Sequence, residues 1–298
     1  MSDIVGRFAP TPSGRMHLGN VFAAMLAWLS VRSQGGKMVL RMEDLDTQRT
    51  SREFAEILRE DLLWLGLDWD EETPPQSTRS AVYDKYFEIL REKGLLYPCY
   101  CTRSQLHSVN APHLSDGTYV YPGTCRNLTA PPEGRAPAWR VAVPDRIWEF
   151  TDTVFGPQRE NLLTDCGDFV VRRADGVYVY QLAVTVDDGE AGVTEVVRGM
   201  DLLSSSARQM YLQELFGFQH PKYAHVPMLL APDGRRLSKR DRDLDLGQLR
   251  QRMTPEALLG LLAYSAGLID KNEPISALEL SKEFSFHNLK KDDIYLSL

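Results

Sequence analysis

The sequence predicts an α/β fold in which helices cover a parallel sheet. A short apolar run at residues 4–5 is followed by apolar residues at helical spacing over residues 21–33, and the Gly35-Gly36 pair ends that helix. Residues 38–42 then form a second apolar run of strand length. Because a strand, a crossover helix and a second strand of one sheet run parallel and right-handed, this order predicts a βαβ unit at the start of the chain.

The same alternation continues after this unit. Apolar patterns predict amphipathic helices over residues 54–65 and 81–93. Thr50 and Glu53 have capping-box spacing and are expected to cap the first of these helices. Gly94 is expected to end the second helix. These two helices would extend the helical cover of the sheet.

Strand signals dominate the middle of the chain. The clearest is a hairpin of residues 168–173 and 177–182 around an Ala-Asp-Gly turn at residues 174–176. The other predicted elements are strands at residues 138–143, 148–154, 184–186 and 193–197, a helix from the serine cap at 204–206 to residue 215, a helix that starts at Thr254-Pro255, and a tail of helix or coil at residues 275–298.

Composition limits the classes of function. The 298 residues are 43% hydrophobic and 25% charged, which is typical of a globular protein. The formal net charge of −7 argues against a general attraction to nucleic acid or membrane, so RNA binding would need a local basic face. We find no signal peptide and no run of roughly 18 apolar residues, and expect a cytoplasmic protein without a membrane partner. The densest basic run contains Arg235, Arg236, Lys239, Arg240 and Arg242, although such runs are often only solvated surface.

Residues 7–20 form the segment around which the predicted site is organised. Pro10 and Pro12 exclude a regular helix, and the helical pattern begins only after Gly19. A loop between a strand and a helix directs the first free amide groups of that helix at a bound group, most often a phosphate. Without further context, the same composition also fits a simple turn.

Acidic residues follow the second predicted strand. Glu43 stands where ligands of open α/β sheets bind, at the carboxyl end of a strand, and is therefore placed to meet a cation. Asp46 is assigned to a solvated loop. We thus expect a phosphate-binding loop and a carboxylate at the same sheet edge.

Three of the four cysteines lie in one segment that is poor in apolar periodicity. Because such a segment has little core, Cys99, Cys101 and Cys125 predict a structural zinc site, one per chain. The spacing leaves the fourth ligand open among His107, His113, Tyr119 and Tyr121, and three buried thiols without a metal are the alternative. Cys166 is interpreted as a small buried hydrophobe.

Two short motifs resemble the paired signatures of class I aminoacyl-tRNA synthetases, His-Ile-Gly-His and Lys-Met-Ser-Lys. They are His17-Leu18-Gly19-Asn20 and Arg236-Leu237-Ser238-Lys239, with Asn20 in place of the second histidine and Arg236 in place of the first lysine. Both replacements keep hydrogen-bond donors for phosphate. The resemblance implies a Rossmann-like sheet, a site for ATP with Mg²⁺, and catalytic roles for His17, Asn20 and Lys239. The implied ATP-binding residues are His17, Gly19, Asn20, Arg236, Leu237, Ser238 and Lys239.

Four further motifs, at residues 7–14, 41–46, 65–70 and 197–202, resemble the catalytic domain of glutamyl-tRNA synthetases. The similarity implies that L-glutamate is activated with ATP to glutamyl-adenylate. Two carboxylates require cations and an ammonium requires an anion, which fits two arginines and a glutamate. The implied glutamate-binding residues are Arg7, Phe8, Ala9, Pro10, Thr11, Glu43, Tyr180 and Arg198.

The domain organisation is similar to that of the glutamyl-queuosine tRNA(Asp) synthetases, because few residues follow Arg240 and no anticodon-binding domain is expected. This resemblance implies transfer of glutamate to the queuosine base of tRNA(Asp), zinc ligands that include Tyr121, and a monomer. The alternatives are charging of the 3′ end of tRNA(Glu) and a non-catalytic module that binds tRNA or nucleotide. The expected parts are a first catalytic half (1–96), a zinc-binding insertion (97–135), a second catalytic half with the signature loop (136–247) and a helical C-terminal region (248–298).

Overall fold

The computed structural model describes residues 4–108, 120–235 and 245–296. Its strands, in chain order, are β1 (Val5–Phe8), β2 (Lys37–Leu40), β3 (Glu71–Glu72), β4 (Leu96–Cys99), β5 (Ala138–Val141), β6 (Ile147–Asp152), β7 (Gly156–Asn161), β8 (Phe169–Arg172), β9 (Glu195–Gly199), β10 (Lys222–Val226), β11 (Leu229–Leu230) and β12 (Ile294–Tyr295). Its helices are α1 (Leu18–Ser33), α2 (Arg52–Trp64), α3 (Ser80–Glu92), α4 (Arg103–Ser108), α5 (Tyr180–Glu190), α6 (Ser205–Phe216), α7 (Leu246–Leu249), α8 (Pro255–Ser265) and α9 (Ala277–Lys282).

Parallel strands form the centre of the fold, as predicted. Strand β2 pairs with both β1 and β3, and β9 pairs with β10. The two groups adjoin, because Thr194 N donates to Val5 O at 2.9 Å and Arg7 Nη1 donates to Val197 O at 3.1 Å. The carboxyl ends of β1, β2, β9 and β10 therefore lie at one edge of the sheet, where ligands of such folds bind.

Helix α1 is the main cover of this sheet. It is apolar on nearly every side because it packs against β1 and β9 and also against α9. It starts at Leu18, earlier than its apolar pattern indicates, and ends at Ser33 just before Gly35, whose φ of 67° favours glycine. Helices α8 and α9 belong to the same hydrophobic core as α1 and the parallel strands.

Antiparallel strands lie between the two parallel groups in sequence. Strand β5 pairs with β4 and β8, and β6 pairs with β7. The β6–β7 hairpin was not predicted; its second strand, of sequence Gly-Pro-Gln-Arg-Glu-Asn, lacks an apolar run. These elements surround a second core that includes Tyr83, Trp148 and Tyr211.

Three sequence-based predictions are wrong. The first arm of the predicted hairpin is β8, but its second arm contributes only an isolated bridge, Arg172 to Tyr178, before α5 begins at Tyr180. The strand predicted at residues 184–186 also belongs to α5. The β-branched residues of α5 favour a strand, yet packing against α6 and β8 decides for helix. The cap of α2 is Ser51 and not Thr50, since Ser51 Oγ accepts from Phe54 N at 3.1 Å.

In the C-terminal part of the chain, helix α8 begins at the predicted N-cap residue. Thr254 Oγ1 accepts from Ala257 N at 3.2 Å at the start of α8, as predicted. The predicted tail contains α9 and a short strand, β12, which pairs with β11. Within the described part of the chain, no helix combines the length and apolar character needed to cross a bilayer.

Candidate active site

A cleft of about 610 Å³ opens at the carboxyl ends of the parallel strands. Every described residue that the sequence assigned to glutamate or ATP lines it: Arg7, Phe8, Ala9, Pro10, Thr11, His17, Gly19, Asn20, Glu43, Tyr180 and Arg198. The loop after β1 is held in place because Glu43 N donates to Pro10 O at 3.0 Å. Residues from four separate segments are thus brought to one cavity.

One wall of the cleft carries a buried ion network. Arg41 is completely buried, and its Nη1 donates to Asp188 Oδ1 at 2.6 Å while its Nη2 donates to Glu43 Oε1 at 3.1 Å. The Nε of Arg7 lies 3.5 Å from the other Asp188 oxygen. Asp188 therefore bridges two arginines, and Arg41 orients Glu43.

The two carboxylates of this network have opposite pKa shifts. Burial raises the pKa of Glu43, although Arg41 opposes the shift. Burial would also raise the pKa of Asp188, but Arg41 and Arg7 together hold it below its usual value. Asp188 is therefore the firmly ionised partner of the arginines.

Arg198 also lines the cleft, is buried and has a fixed orientation. Its Nη1 donates to Gln209 Oε1 at 2.7 Å, and its Nη2 donates to Ser206 Oγ at 2.9 Å. Its Nε donates to Nε2 of His225 at 3.0 Å. Three neutral acceptors on α6 and β10 thus orient the guanidinium without neutralising its charge.

Asp152 fixes the proton of His225. The His225 Nδ1 lies 2.7 Å from Asp152 Oδ2, which also accepts from the His225 backbone N–H at 2.9 Å. Because Nε2 accepts from Arg198, the ring proton must be on Nδ1 and is donated to Asp152. Burial lowers the pKa of His225, with Arg198 adding to the effect and Asp152 opposing it, so the ring is neutral.

Tyr180 begins α5 and lines the same cleft. Burial raises its pKa; the positive charge of Arg198 opposes this shift, and the negative charge of Glu43 adds to it. No described residue forms a hydrogen bond with its hydroxyl, which faces the cleft as a donor for a ligand. Arg7, Arg198, Glu43 and Tyr180 thus present two guanidinium groups, a carboxylate and a phenol to one volume.

The start of α1 forms the other end of the cleft. His17 is its N-cap residue, and Asn20 Oδ1 accepts from His17 N at 3.4 Å. A Cβ on Gly19 would lie 3.1 Å from Cε1 of His17, so glycine leaves space for that ring. The first amides of α1 are directed at the cleft and suit an anion.

The second signature motif lies outside the described residues. Arg236, Leu237, Ser238 and Lys239 belong to the range 236–244, as do the remaining basic residues Arg240 and Arg242. The chain is described again at Asp245, which forms an antiparallel bridge with His17. Leu246 N donates to Met16 O at 3.2 Å, so Asp245 and Leu246 lie beside the start of α1.

The cysteine segment forms a second candidate site. The Sγ atoms of Cys99, Cys101 and Cys125 lie within 4.8 Å of one another, and those of Cys101 and Cys125 are 3.6 Å apart. That separation is too long for a disulfide but matches the edge of a tetrahedron with Zn–S bonds of about 2.3 Å. The donor set therefore fits a metal ion. Cys166 is buried in the second core, as expected.

Tyr121 is next to these thiols. Its hydroxyl lies 3.5 Å from Cys99 Sγ and 3.8 Å from Cys101 Sγ, and accepts from Cys125 N at 2.8 Å. Arg140 donates from Nε to Cys99 Sγ at 3.2 Å. Burial would raise the pKa of Cys99, but Arg140 lowers it below its usual value, which favours a thiolate. His113, Tyr119 and the side chain of His107 are outside the described part, so the structure does not compare them with Tyr121.

Several residues of the sites were not found from the sequence. Arg41 lies within a recognised motif, and the Asp187-Asp188 pair is a visible burst of acid after an apolar run, so these carried a signal. His225, Asp152 and Gln209 carried no signal, and Ser206 was interpreted only as part of a helix cap, because their contacts around Arg198 join different elements of the fold.

Comparison with known proteins places this geometry in a family. Residues 3–294 match the family model described as "tRNA synthetases class I (E and Q), catalytic domain". A protein of Nitratidesulfovibrio vulgaris named "Glutamyl-Q tRNA(Asp) synthetase" is 49% identical over 89% of this chain and 87% of its own length. A protein of Symbiobacterium thermophilum with the same name is 46% identical over 98% of this chain and 95% of its own.

The solved structures include a longer relative. A glutamate tRNA ligase from Elizabethkingia meningosepticum, solved in complex with its amino acid, superposes with a TM-score of 0.83 at 29% identity. The match covers 99% of this chain and 67% of that protein. The fold is therefore shared throughout with an enzyme that has additional residues.

Proposed function

The chain belongs to the catalytic-domain family of class I tRNA synthetases for glutamate and glutamine, and we propose that it activates L-glutamate with ATP and transfers it to the queuosine base of tRNA(Asp). The ATP-dependent ligase activity follows from the family. The observation that carries glutamate as the substrate is the presence of two buried arginines and a carboxylate in one cleft, beside the start of a helix.

Each charge of glutamate has a partner in this proposal. Arg7 and Arg198 bind the two carboxylates, Glu43 accepts from the ammonium, and Tyr180 donates its hydroxyl. The chain from Phe8 to Thr11 closes the amino-acid end of the cleft. Because the arginines are oriented before the ligand arrives, little ordering cost opposes binding.

Activation needs no protein base, since the glutamate α-carboxylate is already an anion. One of its oxygens forms a bond to the α-phosphorus of ATP, the bond from that phosphorus to the leaving oxygen breaks, and pyrophosphate leaves with the electron pair. We propose that His17, Asn20 and Lys239 stabilise the charge that develops on the phosphates, with Gly19, Arg236, Leu237 and Ser238 completing the nucleotide site. Mg²⁺ would supply further charge neutralisation on the phosphates when it is bound with ATP.

Transfer uses the adenylate as the activated donor. A hydroxyl oxygen of queuosine bonds to the glutamyl carbonyl carbon, the anhydride bond to AMP breaks, and the hydroxyl proton passes to the leaving phosphate. The products are a glutamyl ester of the modified base and AMP. We expect this reaction in the cytoplasm, because ATP, glutamate and tRNA meet there. We also expect the protein to act as a monomer.

A structural zinc ion is part of the proposal. Cys99, Cys101 and Cys125 would hold it as thiolates, with Tyr121 as the fourth ligand. The ion would tie together a segment whose small apolar cluster provides little stability of its own. It would not take part in the chemistry.

The deciding experiment measures transfer of labelled glutamate to tRNA(Asp) with and without queuosine. We expect labelling only of the modified tRNA, also after removal of its 3′-terminal adenosine. The likeness to the glutamate tRNA ligase favours a second candidate, charging of the 3′ end of tRNA(Glu), which that removal would abolish. Absence of glutamate-dependent pyrophosphate exchange would leave only a non-catalytic binding module.

A further inference from the structure

Asp61 is a buried carboxylate that the proposed mechanism does not use. It lies on α2, and its side chain has no exposed surface. Arg15 donates to both of its oxygens, from Nε to Oδ2 at 3.0 Å and from Nη2 to Oδ1 at 2.9 Å. Arg250 donates from Nη1 to Oδ1 at 2.7 Å. One carboxylate therefore joins two arginines from distant parts of the chain.

Arg15 belongs to the loop that leads into α1. It lines the active-site cleft and stands two residues before His17. Two of its guanidinium nitrogens donate to Asp61, and a Cβ on Gly247 would lie 2.5 Å from the third, Nη1. The guanidinium is thus packed between α2 and α7, and its contacts are those of a support for the loop and not of a ligand for a phosphate.

Helix α7 has its own contacts with this loop. Leu246 N donates to Met16 O at 3.2 Å, and Asp245 forms an antiparallel bridge with His17. Arg250 stands at the other end of α7, where it binds Asp61. Backbone contacts therefore hold the start of α7 against the loop, and the buried carboxylate connects its end to the same loop.

A buried ionic connection of this kind contributes orientation more than stability. Burial of a carboxylate and of parts of two guanidinium groups costs desolvation energy, so a well-packed apolar residue would often stabilise the fold as well. Charge-assisted hydrogen bonds that occupy both oxygens of Asp61, however, impose a defined geometry on both arginines. The contact thus fixes Arg15 relative to α7.

We propose that Asp61 is a positioning residue for the nucleotide end of the cleft. Through Arg15 it sets the place of His17 and of the first amides of α1, so that they are aligned with the phosphates of ATP before the nucleotide binds. This rests on the proposed function, because the role of His17 is part of it. Small displacements have large effects, since a shift of about 1 Å can lower a rate about a hundredfold.

Two variants displace Arg15 in different ways. Asp61→Asn removes the charge that holds both arginines. Gly247→Ala places a methyl group against the guanidinium but keeps every charge, and alanine favours a helix more than glycine does. We expect each to lower kcat/KM for ATP in pyrophosphate exchange about tenfold, with a raised KM for ATP and an unchanged KM for glutamate. A loss of folded protein would lower kcat alone, so this split separates positioning from stability.

Two further variants complete the comparison. Arg250→Met removes the partner of Asp61 that does not line the cleft, and should raise the KM for ATP by a smaller factor. Asp68→Asn is the matched control, because Asp68 follows α2, pairs with Arg32 at an exposed position and does not line the cleft. It should leave both KM values unchanged.

The outcomes separate this inference from the proposed function. If Asp61→Asn fails to fold, Gly247→Ala and Arg250→Met decide, and an unchanged KM for ATP in both would overturn the positioning role. An effect of Arg15→Met alone would also overturn it, because Arg15 would then bind phosphate directly. Absence of glutamate-dependent exchange in the wild-type protein would instead overturn the proposed function, and this inference with it.

Discussion

Nε of Arg198 donates to Nε2 of His225 at 3.0 Å, and both side chains are buried. The contact gives Arg198, which lines the cleft, a neutral hydrogen-bond acceptor. A carboxylate in that position would offset the charge that the ligand needs, whereas a neutral imidazole fixes the direction and leaves the charge available. Asp152 is one step further away and holds the imidazole tautomer.

Replacement of His225 should weaken glutamate binding. His225→Ala leaves Arg198 Nε and Asp152 without this partner, and we expect the glutamate KM to rise about tenfold or more, since an unsatisfied buried group costs about 1–3 kcal/mol. His225→Gln offers an amide oxygen to Arg198 and should restore part of the loss, which a purely structural role would not predict. His220→Ala is the control, because His220 is partly exposed and does not line the cleft. The measurement is steady-state pyrophosphate exchange.

His225 should make the free energy of unfolding depend on pH. Its pKa in the folded protein lies below the ordinary 6.5, so the unfolded chain takes up the proton first as pH falls. The folded state then loses stability from about pH 6.5 downward and keeps it at higher pH. Urea unfolding from pH 8 to about 5.5 should show a steeper loss for the wild type than for His225→Gln. Identical slopes would mean that the folded ring is protonated as easily as the unfolded one.

Asp188 should be essential to the folded cleft. Asp188→Asn removes the anion between Arg7 and Arg41, and breaking a buried ion pair from one side costs about 3–5 kcal/mol. We expect a lower free energy of unfolding and a higher glutamate KM, because Arg7 loses its orientation. Asp175→Asn, which affects an exposed pair with Arg173, should change neither. Equal unfolding curves for the two variants would contradict the bridging role.

The sequence was sufficient for the sheet and for much of the cleft, because these depend on local signals. Apolar runs, glycine stops and the loop after β1 determine where strands end, and the ends of parallel strands meet at one edge. That places residues 7–20 and Glu43 together without knowledge of any contact. The recognised motifs added Tyr180 and Arg198.

The sequence was not sufficient where distant residues determine the outcome. Arg41 and Asp188 are 147 positions apart, and no local pattern links them. The first part of helix α5 was predicted as strand because Tyr180 and its two valines favour β structure, while its buried environment favours helix. The partners of Arg198 are of the same kind, since His225 and Gln209 come from different elements and meet only in the folded chain.

The metal site gives a fourth prediction. We expect one zinc per chain, with loss of the metal in Cys101→Ser and weakened binding in Tyr121→Phe, measured by metal analysis and by the chelator concentration that releases zinc. Cys166→Ala is the control, because Cys166 lies in the second core and outside the cluster. Unchanged zinc affinity in Tyr121→Phe would reassign the fourth ligand to His107 or His113.

The last prediction concerns Lys239. Its charge is proposed to act on the phosphates as pyrophosphate leaves, and groups that stabilise developing charge contribute about a hundredfold or more to kcat. Lys239→Ala should therefore reduce pyrophosphate exchange by about that factor, while calorimetric binding of glutamate alone changes little, because Arg7, Glu43 and Arg198 remain. Arg235→Ala is the matched control, since Arg235 is exposed and paired with Asp233 in its own turn. An equal loss of exchange and of glutamate affinity would assign Lys239 to the amino-acid pocket, and its proposed role in the chemical step would be wrong.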